Sequence, residues 1–204
     1  MPPRSTSRRR MLDAAGRLFR AGGYHATGLN QVLAEGRAPK GSFYFHFPGG
    51  KEQLAAEAMR EAAQAIGAQL AEVAERAPDA VSAIEAVIDR LGAELVASDY
   101  RCGCPLATVA LDASGDSDVI ASACADGYRM WRDALVGLLE RHGVPSVRSV
   151  GLASVALAAI EGGLLLARTA RSLTPLHDVR DHLAETFASA STPRPVGSTE
   201  RSST

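Results

Sequence analysis

One short segment of this chain has the composition of a β-strand, and no second segment exists to pair with it. The segment is "SFYFHF", Ser42 to Phe47, where sheet-favouring aromatics follow one another. A lone strand would leave its backbone donors and acceptors without partners. Elsewhere alanine and leucine dominate, and apolar residues recur at three- and four-residue spacing. The segment is therefore read as helix, and the whole chain as all-α, with no internal repeat.

Capping residues and breakers divide the chain into about nine helices. Thr6 and Ser7 can cap a first helix that carries Met11, Leu12, Ala15, Leu18 and Phe19 inward and stops at Gly22–Gly23. Thr27 offers the cap of a second, running to about Ala34 with Leu29, Val32 and Leu33 inward, and Gly36 breaks it. Pro39 fits the first turn of a third, which ends at Pro48-Gly49-Gly50. A long helix then runs from Lys51 to about Ala77. Further helices are expected from about Asp79 to Ser98, after Pro105, from about Ser117 to His142, from about Ser146 to Arg171 and from about Pro175 to Ser189. The tail, nearly without apolar residues, reads as disordered. Three short helices in about fifty residues, the last two joined by a tight turn, describe a helix-turn-helix unit.

Four of the chain's ten aromatics stand between Phe43 and Phe47. On a helix Phe43 and Phe47 share one face and form the natural inward pair. Gly41 and Phe45 point away from that pair, and Ser42 and Tyr44 flank it. Either Phe45 fills the small core as well, or it stands outward to meet something. Lys40, Ser42, Tyr44 and His46 carry hydrogen-bond donors, Gly41 leaves room for close approach, and Phe45 offers the apolar contact that a thymine methyl accepts in the major groove.

Charge points the same way. Residues 1–51 carry nine basic groups against two acidic, a net of +7, while the other 13 basic and 21 acidic groups give −8. A basic quarter on an acidic body fits a polyanion partner for that quarter; a solvated arginine-rich leader is the blander alternative. Cys102, Cys104 and Cys124 fit a reducing compartment, and one Cys-x-Cys without further ligands makes a weak metal site. "MPPRSTSRRR" leads into no apolar region of the secretory kind. The apolar run from Ser149 to Ala167 contains Glu161 and many small residues, and is read as a buried helix, not a membrane span.

Residues 8–59, with "PKGSFYFHF" and the following Lys-Glu as the specific part, resemble the DNA-binding domain of TetR/AcrR-type transcriptional regulators. "CGCPLATVALDAS", from Cys102 to Ser114, is similar to the branch that includes lincomycin- and flavonoid-responsive repressors. The resemblance implies a three-helix DNA-binding domain over 1–50, an all-helical effector-binding and dimerisation domain over 51–191, and a tail over 192–204. It implies that Thr27 caps the second helix and can donate to phosphate, that Lys40, Gly41, Ser42 and Phe45 face bases or close backbone, and that Tyr44, His46 and Lys51 approach phosphate. Arg4 and Arg8 to Arg10 are phosphate or groove candidates by charge alone.

One departure stands out: the family places glycine in the turn where this chain has Arg37, with Gly36 one position earlier. Either the turn shifts to use Gly36, or Arg37 bears left-handed strain of about 1 kcal/mol or more. Arg37 is also a candidate phosphate contact.

In the body, Met59, Ile66, Leu106, Val109, Tyr128 and Trp131 are the candidate pocket residues, as large side chains among many alanines. Glu161 is either a polar anchor for a ligand or a hydrogen-bonded residue at a dimer seam. Small residues from Gly151 to Gly163, with Leu176, Val179, Leu183 and Phe187 on the last helix, would build a two-fold dimer through the last two helices, against the alternative of an intramolecular core. The expected protein is a cytoplasmic, ligand-responsive homodimer. It would bind near-palindromic double-stranded DNA, most simply as a repressor released by a small apolar or aromatic effector. It would need no cofactor and no metal, and would touch no membrane. The alternative is a DNA-binding regulator without a small effector, which a body lacking a cavity of roughly 300 Å³ would favour. No nucleophile–base signature joins Cys102, Cys104, His142, His177 and His182, so an enzyme is not expected.

Overall fold

The computed structural model describes residues 7–191. Thr6 of the expected first cap, Arg4 and the tail from 192 lie outside the described residues. Within them the chain forms nine helices and no strand: α1 (Ser7–Gly22), α2 (Leu29–Glu35), α3 (Lys40–His46), α4 (Gly50–Glu75), α5 (Ala80–Ala97), α6 (Pro105–Ala113), α7 (Asp118–Arg141), α8 (Ser146–Ala170) and α9 (Thr174–Ser191).

The first three helices share a small aromatic core. Met11, Leu12, Ala15 and Phe19 fall on one side of α1 and are buried. Val32 and Leu33 from α2, with Phe43 and Phe47, close over them. The Phe43 and Phe47 rings lie 5.6 Å apart. A seven-residue helix such as α3 is not stable alone. Each fully buried Phe contributes roughly 1.5–3 kcal/mol, so this pair is what holds α3 in place.

The α2–α3 turn resolves the Gly36–Arg37 question. Arg37 takes the left-handed backbone, with φ 48°, and Gly36 remains right-handed, with φ −73°. The reason is space. A Cβ at Gly36 would stand 3.1 Å from the Val32 carbonyl, 3.2 Å from the Arg10 carbonyl and 3.3 Å from the Met11 Cα. Glycine is needed where α2 crosses α1, so the strain passes to the next residue. Arg10 straps the turn: its Nε donates to the Gly36 carbonyl at 3.0 Å and its Nη2 to the Arg37 carbonyl at 3.4 Å.

α4 is about 39 Å long by its 26 residues. It packs on α1 at one end and along α7 for the rest. α6 fits between α1, α4 and α7, at a notch where a Cβ on Gly127 would meet Leu106 Cδ1 at 2.6 Å and Ala63 Cβ at 2.9 Å. α5 and α9 pack together, and α8 lies between α7 and α9. The starts of α5 and α7 are capped as their sequences suggest: Asp79 accepts from the Ser82 N–H at 2.7 Å and Ser117 from the Ile120 N–H at 3.1 Å. Thr27 does not cap α2. The N-cap is Gly28, and the Thr27 hydroxyl turns inward to donate to the Gly23 carbonyl at 2.7 Å.

By length and composition α8 is apolar enough to cross a membrane, but its apolar residues divide between two faces. Ala153, Ala156, Ile160, Gly163, Leu164 and Ala167 are buried within the chain. Val155, Leu165 and Leu166 are more than half exposed on the other side, and nothing approaches Gly151 or Gly162 there.

Candidate nucleic-acid interface and the cavity behind it

α3 presents two faces of different character. Phe43 and Phe47 are wholly buried, while Phe45 is 81% exposed and Tyr44 52%. Phe45 is therefore not core; its ring lies against that of its neighbour His46, centroid to centroid 5.1 Å. Lys40 and Gly41 are exposed beside it, and Ser42 and His46 half-buried. A Cβ at Gly41 would stand in open space, so packing within the chain does not require glycine there. Together these groups form a convex strip of apolar ring, phenol, ammonium and bare backbone. Arg37 is exposed at its start.

Two of the expected contacts turn inward. Thr27 is buried with its hydroxyl engaged, so its side chain holds the α1–α2 turn and does not face a phosphate. Lys51 Nζ donates to the Tyr24 carbonyl at 2.6 Å and stands 4.2 Å from the centre of the Tyr24 ring. Partial burial pulls its pKa below the ordinary lysine value, against the nearby Asp112 carboxylate. Lys51 thus ties the start of α4 to the α1–α2 turn.

Much of the basic excess is likewise spoken for inside the chain. Arg8 pairs with Glu57, Arg9 with Asp13 and Glu61, and Arg17 with Glu35. Such surface pairs are worth little and can yield to a phosphate. Spacing along the sequence could not show them, because most join α1 to distant helices.

Behind this head lies a cavity of about 180 Å³ between α4, α5, α7 and α8, closed at one end by Cys102–Pro105. Its walls are mainly apolar, from Leu70, Leu91, Leu135, Leu138 and Leu164 among others. Of the seven expected pocket residues, Ile66, Trp131 and Glu161 line it. Trp131 also donates its Nε1–H to the Ala63 carbonyl at 2.9 Å, fixing the ring across α4. Tyr128 and Glu161 line a second, more open cleft of about 600 Å³ between α7 and α8, which meets the first at Leu157 and Glu161. Met59, Leu106 and Val109 line neither; they are fully buried where α4 and α6 pack into the body. Leu106 fills the notch left by Gly127 instead of facing the cavity.

The sequence did not mark Arg20 or Cys104 as cavity residues. Arg20, in the last turn of α1, lines the cavity, donates to the Gly103 carbonyl at 2.7 Å and pairs with Glu94 at 3.6 Å. No local signal marks it, since its partners are more than seventy positions away. Burial pushes the Cys104 thiol far above the ordinary cysteine range, and Cys124 up to about 11, so neither is a reactive thiolate. No cluster of three or more His, Cys, Asp or Glu side chains that could hold a metal occurs among the described residues.

α6 connects the two regions. At its start, Cys104 and Pro105 border the cavity and Gly103 receives Arg20. Near its end, Asp112 accepts from the His25 N–H at 2.7 Å, and beyond it Asp116 lies 3.2 Å from His25 Nε2. Ser117 donates to Glu52 at the start of α4. α6 and the connector before it are thus tied to the head through both α1 and α4.

Comparisons with known proteins place these features in a common frame. Residues 11–58 match the profile of bacterial regulatory proteins of the tetR family, and residues 80–182 that of the LmrA/YxaF-like transcriptional regulator C-terminal domain. The chain is 39% identical over 170 residues to the HTH-type transcriptional regulator LmrA of Bacillus subtilis (strain 168), covering 83% of this chain and 90% of that protein. It is 32% identical over 176 residues to the regulator YxaF of the same organism, covering 86% and 92%. Its fold is similar to that of a TetR transcriptional regulator from Legionella pneumophila, with a TM-score of 0.79 and 26% identity over 90% of this chain and 98% of that one. The reduced form of E. coli NemR shares the fold, with a TM-score of 0.77 and 24% identity over 87% and 95%.

Proposed function

Given that this chain belongs to the TetR family of DNA-binding transcriptional regulators, which are not enzymes, we propose that it is a homodimeric, effector-responsive repressor acting in the cytoplasm. The head, up to about residue 50, reads DNA; the remainder binds the effector and dimerises. The observation that carries this reading is the outward face of α3, where Phe45 and Tyr44 stand exposed beside Gly41 and Lys40. Leaving a phenylalanine 81% exposed on a helix anchored by two buried ones makes physical sense if the ring meets a partner. Lys40, Gly41, Ser42 and Phe45 approach base edges; Arg37, Tyr44 and His46 approach phosphate. The exposed face of α8 supports dimerisation through α8 and α9, which would set two copies of α3 into successive major grooves of a near-palindromic operator. An effector held in the cavity would shift α4 and the start of α6, and so change the spacing of the two heads. Operator and effector affinities are then reciprocally coupled.

A second reading, a regulator without a small effector, has one observation in its favour. The cavity, at about 180 Å³, is smaller than the roughly 300 Å³ at which drug-sized sites begin. Under the first reading the effector is correspondingly small, or extends into the adjoining cleft. A gel-shift assay on the promoter of this gene and of its neighbours tests DNA recognition. A retarded complex is expected from purified dimer at low salt, and absence of binding to every such fragment contradicts it. Release of that complex by a small molecule separates the first reading from the second.

A further inference from the structure

The wall of the cavity contains one buried polar atom that the fold leaves unsatisfied. Glu161 projects from α8 between the apolar Leu157 and Leu164. Its Oε2 is buried and has no hydrogen-bond partner among the described residues. The Cys104 thiol and the Tyr128 hydroxyl lie near the carboxyl, and neither is hydrogen-bonded to Oε2. Burial raises the carboxyl's pKa above the ordinary glutamate range. The other charged groups of the wall are engaged or at the rim: Arg20 and Glu94 pair with each other, and Glu75 and Arg141 are exposed. An apolar side chain would avoid the cost of burying this carboxyl, so its placement is a net cost that a hydrogen-bond donor at Oε2 can offset.

We propose that Glu161 Oε2 is the recognition group of the effector site, and that the effector is a small, mostly apolar ring compound with one hydrogen-bond donor. The donor is a hydroxyl or a protonated nitrogen. The inference rests on the effector-responsive reading above. The cavity, at about 180 Å³, is somewhat larger than the roughly 150 Å³ apolar cavity known to hold benzene, so one ring with a short polar arm fits. The apolar walls take the ring, and Glu161 fixes its orientation.

The probes are ethylbenzene, benzyl alcohol and benzylamine, which share ring and length and differ only in the end group. Trp131 is the chain's one tryptophan and lines the cavity, so its fluorescence reports occupancy. In the full-length protein, benzyl alcohol or benzylamine is expected to bind at least about tenfold more tightly than ethylbenzene. In Glu161→Leu, with folding verified by circular dichroism, ethylbenzene still binds and the preference falls to about twofold or less. Glu161→Gln separates the two donors. It keeps an acceptor oxygen without the charge, so a preference for the hydroxyl survives and a preference for the amine is lost. If the native protein binds all three equally, or Glu161→Leu retains the preference, the assignment of Glu161 is overturned while the cavity remains an effector site. If none of the three alters Trp131 fluorescence in the native protein, the assignment is overturned as well, and the effector-responsive reading then stands or falls on release of the DNA complex by a small molecule.

Discussion

At the scale of single residues, the sharpest feature is the division of labour between Gly36 and Arg37. Gly36→Ala would push a methyl group into two carbonyls and a Cα, none of which can swing aside. A loss of about 1–3 kcal/mol is expected by urea denaturation. Arg37→Gly should do the reverse and stabilise the protein by up to about 1 kcal/mol by relieving left-handed strain. If Arg37 also meets a phosphate, the same substitution lowers the salt slope of DNA binding by about one, so stability and affinity move in opposite directions. Unchanged stability and an unchanged slope would remove both roles. Phe45→Ala should alter operator preference without unfolding the head, because the ring is exposed; an unfolded variant contradicts that. Glu161 gives a pH test. Its pKa in the folded protein is raised above the unfolded value of about 4.3. Its contribution to stability is therefore complete below about pH 4 and is lost as the pH rises through the folded value. Cys104 and Tyr128 beside it are also pushed upward and stay neutral over that range. The melting temperature of Glu161→Gln minus that of the native protein should thus increase from pH 4 upward and then level off. A constant difference would mean that the carboxyl is not desolvated.

At the scale of helices, what could be read from sequence was whatever is decided locally. Ser117 and Asp79 mark their helix starts by accepting from the backbone three residues on, and Pro105 opens α6. The inward pair Phe43 and Phe47 followed from spacing alone. Thr27 misled because it has the right residue type in the right place, yet its hydroxyl is captured by the end of α1. Lys51 lies at the start of α4 as expected, and the Tyr24 carbonyl and ring, supplied from the α1–α2 turn, engage its ammonium in a way that spacing along the sequence does not reveal. The pocket was the least legible part. Its wall draws on five helices and the Cys102–Pro105 connector, so Met59, Leu106 and Val109 look like pocket residues until the packing of α6 is known. Sequence reading took the apolar run in α8 as a buried helix, and only one side of it is buried within the chain. The other side carries Val155, Leu165 and Leu166. Replacing Leu165 and Leu166 together by glutamate should convert a dimer into a folded monomer with the same helix content, as sedimentation and circular dichroism would show. A double variant that remains dimeric would move the interface elsewhere.

At the scale of the whole molecule, the head and the cavity are joined by α4, which packs on α1 and lines the cavity, and by a set of side-chain bonds around α6. Arg20 ties α1 to the connector that borders the cavity, His25 ties the α1–α2 turn to Asp112 and Asp116, and Glu52 ties α4 to Ser117. Removing one of these should weaken communication more than it weakens DNA binding. Arg20→Ala is expected to keep DNA binding close to native while reducing the effector's release of DNA, which a titration of the preformed complex would read. The central claim is that two copies of α3 act together on DNA with two-fold symmetry. Enrichment of bound duplexes from a random-sequence pool by the purified full-length protein, followed by sequencing, tests it most directly. The expected result is a pair of inverted half-sites with centres about one helical turn apart, roughly 34–36 Å along the duplex. A single unpaired motif, or no enrichment above the starting pool, would contradict it.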